Sequence, residues 1–298
     1  MLLQDLVRKN LIHPPKWLPD NTHYLAIVGS ESYGANIQGS SDQDLQGFCI
    51  PPKSDVFPHL RGEIPGFGTQ KQRFDNYQEH HIFSNDYNNE FDVSIYSIVR
   101  FFHLAMENNP NILDIICVPN NCIKFITPVG QIVRDNRKIF FHAGCFHKFR
   151  GYASAQMSKI ATVANRSNPK RAATIDEFGF DTKFLMHVCR LALECEQILL
   201  TGDLDLKRDS QFLLSIRRGE MTLDDGKKWW ASKERDLETA YANCQIVPRV
   251  PDEDKIKELL IACLEQHYGN LGAAVVRVPQ MDKLLNNLDL LIAKYKGN

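Results

Sequence analysis

Leu25-Ala-Ile-Val-Gly-Ser-Glu-Ser-Tyr-Gly-Ala-Asn-Ile-Gln-Gly-Ser-Ser-Asp-Gln-Asp-Leu45 carries the pattern from which the rest of the chain can be read. The apolar run from His23 to Val28 predicts a buried strand, closed by a turn at Gly29-Ser30. Asp42 and Asp44 stand one residue apart at the start of the next strand, Asp42 to Ile50. On an extended backbone both carboxylates point to one face. Neighbouring carboxylates repel unless a cation neutralises them, and oxygen-rich sites of this kind suit Mg²⁺ or Mn²⁺, often with substrate phosphates. The Gly-Ser turn offers backbone N–H groups and a hydroxyl to an anion. A phosphate cradle beside metal-binding acids points to phosphoryl or nucleotidyl chemistry.

Around this segment the composition is ordinary. The chain has 298 residues, 43% hydrophobic and 24% charged, with a formal net charge of −1. No global field draws it to nucleic acid or anionic lipid, so a polyanionic substrate must meet a local basic patch. No apolar run approaches the ~20 residues of a membrane span, and the N-terminus lacks the order of a signal peptide. The eight cysteines are scattered, with no Cys-x-x-Cys pair and no His/Cys cluster at zinc spacing. Buried thiols in a reducing compartment are the expectation, with the cytoplasm as the default address.

Further along, residues 51–90 are rich in Pro, Gly, Asn and Asp and read as one long loop. Phe91-Asp-Val-Ser-Ile-Tyr96 alternates and predicts a third strand, followed by a helix with Ile98, Phe101, Phe102 and Ala105 on one face. From about residue 128 amphipathic helices dominate; Lys183 to Leu200 is the clearest. The expectation is an α+β chain of two domains, with the boundary near 125–140. Residues 1–130 would form a small mixed-sheet unit and residues 131–298 an all-helical unit closing a cleft over it.

Gly29-Ser30, eleven residues, then Asp42-x-Asp44 resembles the signature of the DNA polymerase β-like nucleotidyltransferase superfamily. In that superfamily a third carboxylate comes from a later strand, and Asp92, set among apolar neighbours, fits the position. Ser30-x-x-Tyr-Gly34, Ser41-Asp-x-Asp-Leu-x-Gly47, Asn109-Pro-Asn-Ile-Leu113, Gly151-Tyr-Ala-x-x-Gln156 and Asp181-Thr-Lys-x-x-x-His-x-x-Arg190 extend the likeness. They are similar to a bacterial and phage branch, some members of which are associated with RNA repair. The resemblance implies transfer of NMP from an NTP, such as ATP, to an acceptor hydroxyl, with pyrophosphate leaving. Asp42, Asp44 and Asp92 would hold two Mg²⁺ ions (or Mn²⁺) about 3.5–4 Å apart. Gly29 and Ser30 would hold phosphates. An RNA or tRNA 3′ end is the acceptor implied; a protein side chain, a small molecule, or a nucleotide sensor without turnover are the alternatives.

Lys183, His187, Arg190, Glu194 and Gln197 form one polar stripe on the predicted long helix, a pattern that a solvated face also produces. The resemblance assigns Lys183, His187 and Arg190 to phosphate contact across the cleft. Arg150 and Tyr152 could face the same cleft, Tyr152 stacking on a base, or could serve packing and helix capping. The adjacent His80-His81 would point apart on a regular strand and reads as a packed or surface pair, as do His142 and His147. The oligomeric state is not legible in the residues.

Overall fold

The computed structural model describes residues 2–36, 43–63, 68, 72–160 and 169–269. Five strands, β1 (Thr22–Val28), β2 (Gln43–Cys49), β3 (Asn76–Ser84), β4 (Asn89–Ser97) and β5 (Ile123–Ile126), form one mixed sheet. Its order is β3-β4-β2-β1-β5; β2 and β4 run parallel and the remaining pairs antiparallel. Helices α1 (Leu2–Arg8), α2 (Lys53–Val56), α3 (Ile98–Met106), α4 (Pro110–Cys117) and α5 (Pro128–Asp135) accompany the sheet. There follow α6 (Cys145–Lys159), α7 (Pro169–Phe178), α8 (Thr182–Thr201), α9 (Ser210–Arg217), α10 (Leu223–Asn243) and α11 (Glu253–Tyr268). The chain is thus α+β, as the periodicities imply.

All seven residues of β1 are buried, which is why it reads as an unbroken apolar run rather than an alternating one. Tyr24 on β1 stacks on Phe48 of β2 (centroids 5.8 Å apart), and Phe48 meets Phe101 of α3 at 4.9 Å. Such pairs add about 0.5–1.5 kcal/mol each beyond simple burial. Gly47 is obligatory here: a Cβ at that position would stand 1.9 Å from the Tyr24 carbonyl oxygen of the neighbouring strand. Arg134 on α5 closes the far side, donating to the Tyr24 hydroxyl, the Ile116 and Val118 carbonyls and Asn120 Oδ1.

The loop expected over 51–90 contains β3. Its sequence, Asn76-Tyr-Gln-Glu-His-His-Ile-Phe-Ser84, lacks an apolar face because β3 is an edge strand with most residues at least partly exposed. The second half is helical. Asp181 caps α8 by accepting from the Lys183 amide at 2.9 Å, and Gly202 ends it in the left-handed conformation (φ +66°). Helices α6, α9 and α10 pack around α8, while α11 returns to pack against α3 and α5. There His267 Nδ1 lies 2.9 Å from Nε2 of His23 on β1, and the Tyr268 hydroxyl donates to the Pro51 carbonyl. The last described helix therefore leans on the sheet half of the molecule. All eight cysteines are buried and free of disulfides, and no described helix is long and apolar enough to cross a membrane.

Candidate active site

Strand register decides which acids can meet. Asp44 on β2 pairs with Val28 of β1 on one side and with Asp92 of β4 on the other. Residues paired across neighbouring strands share a face and lie about 5 Å apart. Asp44 and Asp92 are therefore side by side on one face of the sheet, both half-buried. The alternate residues Leu45, Phe91 and Val93 are buried in the core on the other face. Asp42, expected on the same face one strand repeat earlier, lies outside the described residues.

The turn after β1 approaches the same point. Gly29 has φ +75°, and a Cβ there would sit 2.6 Å from Asp44 Oδ2. A side chain at this position would be strained in its backbone and would collide with the carboxylate. Gly29-Ser-Glu31 forms a 3₁₀ turn whose later amides fold back on its carbonyls, Ser32 and Tyr33 onto Gly29 and Ala35 onto Ser30. The first amides of such a turn have no partner within it. Gly29, Asp44 and Asp92 are brought together, with half-buried Ser30 next in line.

Asp92 is held by the edge strand. Between Glu79↔Val93 and Ile82↔Phe91 the β3–β4 register shifts, so that His80 and His81 together oppose the single residue Asp92. This is a β-bulge, and His81 occupies the left-handed region at φ +59°. The His81 amide donates to Asp92 Oδ1 at 2.8 Å, and His80 Nδ1 stands 3.4 Å from Oδ2. The His81 ring meets Glu90 at 2.6 Å. The histidine pair read as packing or surface thus borders an acid of the site. Strict alternation, which sets the rings apart, fails at a bulge. His142 and His147 are as read: His142 is buried against the Met106 carbonyl, and His147 meets the Tyr241 hydroxyl.

The polar stripe of α8 is no solvated face over its middle. Arg190 is buried and donates to Asp114 Oδ2 of α4 at 2.6 Å and to both oxygens of Glu194 at 3.0 Å. Tyr33 donates to the same Asp114 oxygen at 2.8 Å, and the guanidinium lies 4.5 Å above its ring. Burial pushes the Asp114 and Glu194 carboxyls upward, against the pull of Arg190. Arg190, expected at a phosphate, is instead enclosed by two carboxylates and a ring that tie α8 to α4 and to the Gly-Ser turn. A signal for this existed: Asp114 is an acid inside the apolar run Ile112 to Cys117, which demands a buried partner.

Lys183, exposed, and His187, half-buried, occupy the two turns of α8 before Arg190 on the same stripe. Arg150 is engaged by α10, pairing with Glu234 at 2.6 Å and Glu238 at 3.7 Å. Tyr152 accepts from Asn109 Nδ2 at 3.1 Å and lies near Tyr96, which shares the acid face with Asp92 and Ser94. A cavity of about 740 Å³ beside α1, lined by Arg8, Gln43, Tyr87, Phe91 and Lys124, opens on the other side of the β2–β4 pair.

Among the described residues no three His, Cys, Asp or Glu side chains already converge as a metal cluster. The donors that are present fit a divalent cation even so: two carboxylates share a face, one with an oxygen fixed by a backbone amide. The glycine turn lets the Asp44 carboxylate lie close against the backbone, where a Cβ would collide with it.

A 26% identical stretch of 143 residues matches an uncharacterized 38.9 kDa protein of the nrdC–mobD intergenic region of Enterobacteria phage T4. It covers 47% of this chain and 39% of that one, so the match spans about two-fifths of the phage relative's length. A solved nucleotidyltransferase-like protein from Exiguobacterium sibiricum aligns over 79% of this chain and 73% of its own at 10% identity. Its TM-score of 0.29 is too low to bear on the fold. The family model of RlaP matches residues 7–262, and the chain belongs to that family, the RNA repair pathway DNA polymerase beta family.

Proposed function

We propose that this protein transfers a nucleoside monophosphate from an NTP to a hydroxyl, with an RNA 3′ end as acceptor. The observation that carries the reading is the register pairing of Asp44 with Asp92 beside Gly29. The acceptor is supported by family membership, since the model matched is that of an RNA repair family. Asp42, Asp44 and Asp92 would hold Mg²⁺ or Mn²⁺, which when bound neutralises the polyphosphate and acidifies the attacking hydroxyl.

The remaining work belongs to the chain's own groups. Gly29 and Ser30 hold the β- and γ-phosphates with first-turn amides and a hydroxyl. The acceptor oxygen attacks the α-phosphorus and loses its proton to solvent. The bond between the α-phosphorus and its bridging oxygen breaks, and pyrophosphate departs with the electron pair. Lys183 and His187 face the polyphosphate from α8, and the Tyr33–Asp114–Arg190 network fixes that helix against the turn. Rigid positioning of this kind supplies most of the catalysis in phosphoryl and nucleotidyl transfer. Tyr152 stacks on a base at the Tyr96 end of the acid face.

The test is incubation with each labelled NTP, Mg²⁺ or Mn²⁺, and separately total RNA and total protein. Label on RNA with release of pyrophosphate is the expected result. Label on polypeptide would move the acceptor to a protein side chain, and nucleotide binding without pyrophosphate would refute transfer.

A further inference from the structure

We propose that His80 is a nitrogen ligand of the divalent-cation site, standing beside Asp92 and tilting the site away from Mg²⁺ toward Mn²⁺. The inference rests on the proposed reading of Asp44 and Asp92 as metal-binding acids and adds a donor of a different chemical type. Three observations carry it. The bulge sets His80 and His81 opposite Asp92 alone, so the edge strand places two residues where regular pairing allows one. The His81 amide occupies Asp92 Oδ1 at 2.8 Å, leaving Oδ2 as the oxygen beside His80. His80 Nδ1 is 3.4 Å from that oxygen, with the side chain about half exposed (54%).

That separation is informative. Donors bound to one small divalent ion at about 2.0–2.2 Å stand about 3.0–3.5 Å from each other. His80 Nδ1 and Asp92 Oδ2 already have that spacing. The neighbouring histidine is accounted for otherwise, its amide on Asp92 and its ring on Glu90. A left-handed non-glycine residue is the cost of this arrangement, and such strain concentrates at functional sites. Imidazole suits transition ions better than Mg²⁺, whereas carboxylates alone suit Mg²⁺ and Mn²⁺.

The experiment loads the full chain with Mn²⁺ and reads ¹⁴N modulation by pulsed electron paramagnetic resonance, with binding constants for Mn²⁺ and Mg²⁺ measured in parallel. Wild type should show nitrogen coupling. His80→Ala should lose the coupling and weaken Mn²⁺ by about tenfold or more while Mg²⁺ binding moves less. His81→Gly, which retains the amide on Asp92, should keep both. Asp44→Asn should weaken either ion. Mn²⁺ that binds through Asp44 without nitrogen coupling, or coupling that survives His80→Ala, overturns the assignment of His80 alone. Wild type that binds no Mn²⁺ overturns this assignment together with the metal reading beneath it.

Discussion

Asp92 shows how much a single residue's surroundings decide. Its strand neighbour supplies a second carboxylate, its edge-strand neighbour supplies an amide, and neither contact is local in sequence. Gly29 is equally constrained. Gly29→Ala places a Cβ 2.6 Å from Asp44 Oδ2 in a left-handed backbone. The left-handed conformation alone costs about 1–2 kcal/mol. The expected outcome is a lowered unfolding midpoint together with loss of pyrophosphate release; unchanged values for both would show that the turn is not pressed against the acid. Asp44 and Gly29 were legible in the sequence because a turn glycine and a strand-start acid are fixed by local pattern. His80 was not, because a bulge is a property of two strands, and β3 carries no apolar alternation to announce it.

At the scale of elements, α8 and α11 show two ways of attaching helices to a sheet. Helix α8 is pinned by a buried ion group: Arg190 between Asp114 and Glu194, with Tyr33 donating from the turn. Removing one member strands the others without solvent, a loss of about 3–5 kcal/mol. Arg190→Met should reduce unfolding free energy by that amount in denaturant titration, whereas a loss below about 1 kcal/mol would mean that the network relaxes into water. Helical spacing identified the stripe but could not name its partner, since a docked polar face and a solvated one share one periodicity.

Helix α11 is held partly by the His23–His267 contact, with Thr127 Oγ1 on the other nitrogen of His23 at 2.7 Å. Burial lowers His23 from its ordinary value to about 4, and His267 is lowered for the same reason. A depressed histidine leaves the unfolded chain binding more protons once the pH falls below about 6.5. Stability is therefore complete above that value and declines as the pH falls from about 6.5 toward 4. For His23 the loss is on the order of 3 kcal/mol, because a tenfold change in proton affinity is worth about 1.4 kcal/mol. Thermal unfolding between pH 4 and 7.5 should show this slope, and His23→Gln should flatten it. An equal slope in both proteins would assign the acid sensitivity elsewhere.

For the whole molecule, the proposed RNA acceptor has to be reconciled with a net charge of −1, which supplies no global field for a large nucleic-acid footprint. An enzyme that grips only a terminus neutralises few phosphates, and single strands lose affinity with a log–log salt slope of about −0.7 per contact. The slope for a short RNA should be about −2 or shallower; a slope near −5 would require a long basic track. The α+β class and the central strands were readable from buried runs and alternation. The edge strand, the inward role of Arg190 and the return of α11 to the sheet depend on contacts between distant segments, which periodicity does not encode. Pairing of Asp44 with Asp92 is the central claim, and pyrophosphate release from labelled NTP by Asp44→Asn and Asp92→Asn tests it most directly. Both variants should fall to background while keeping wild-type circular dichroism and unfolding midpoints. Turnover at the wild-type rate in either folded variant would contradict the account.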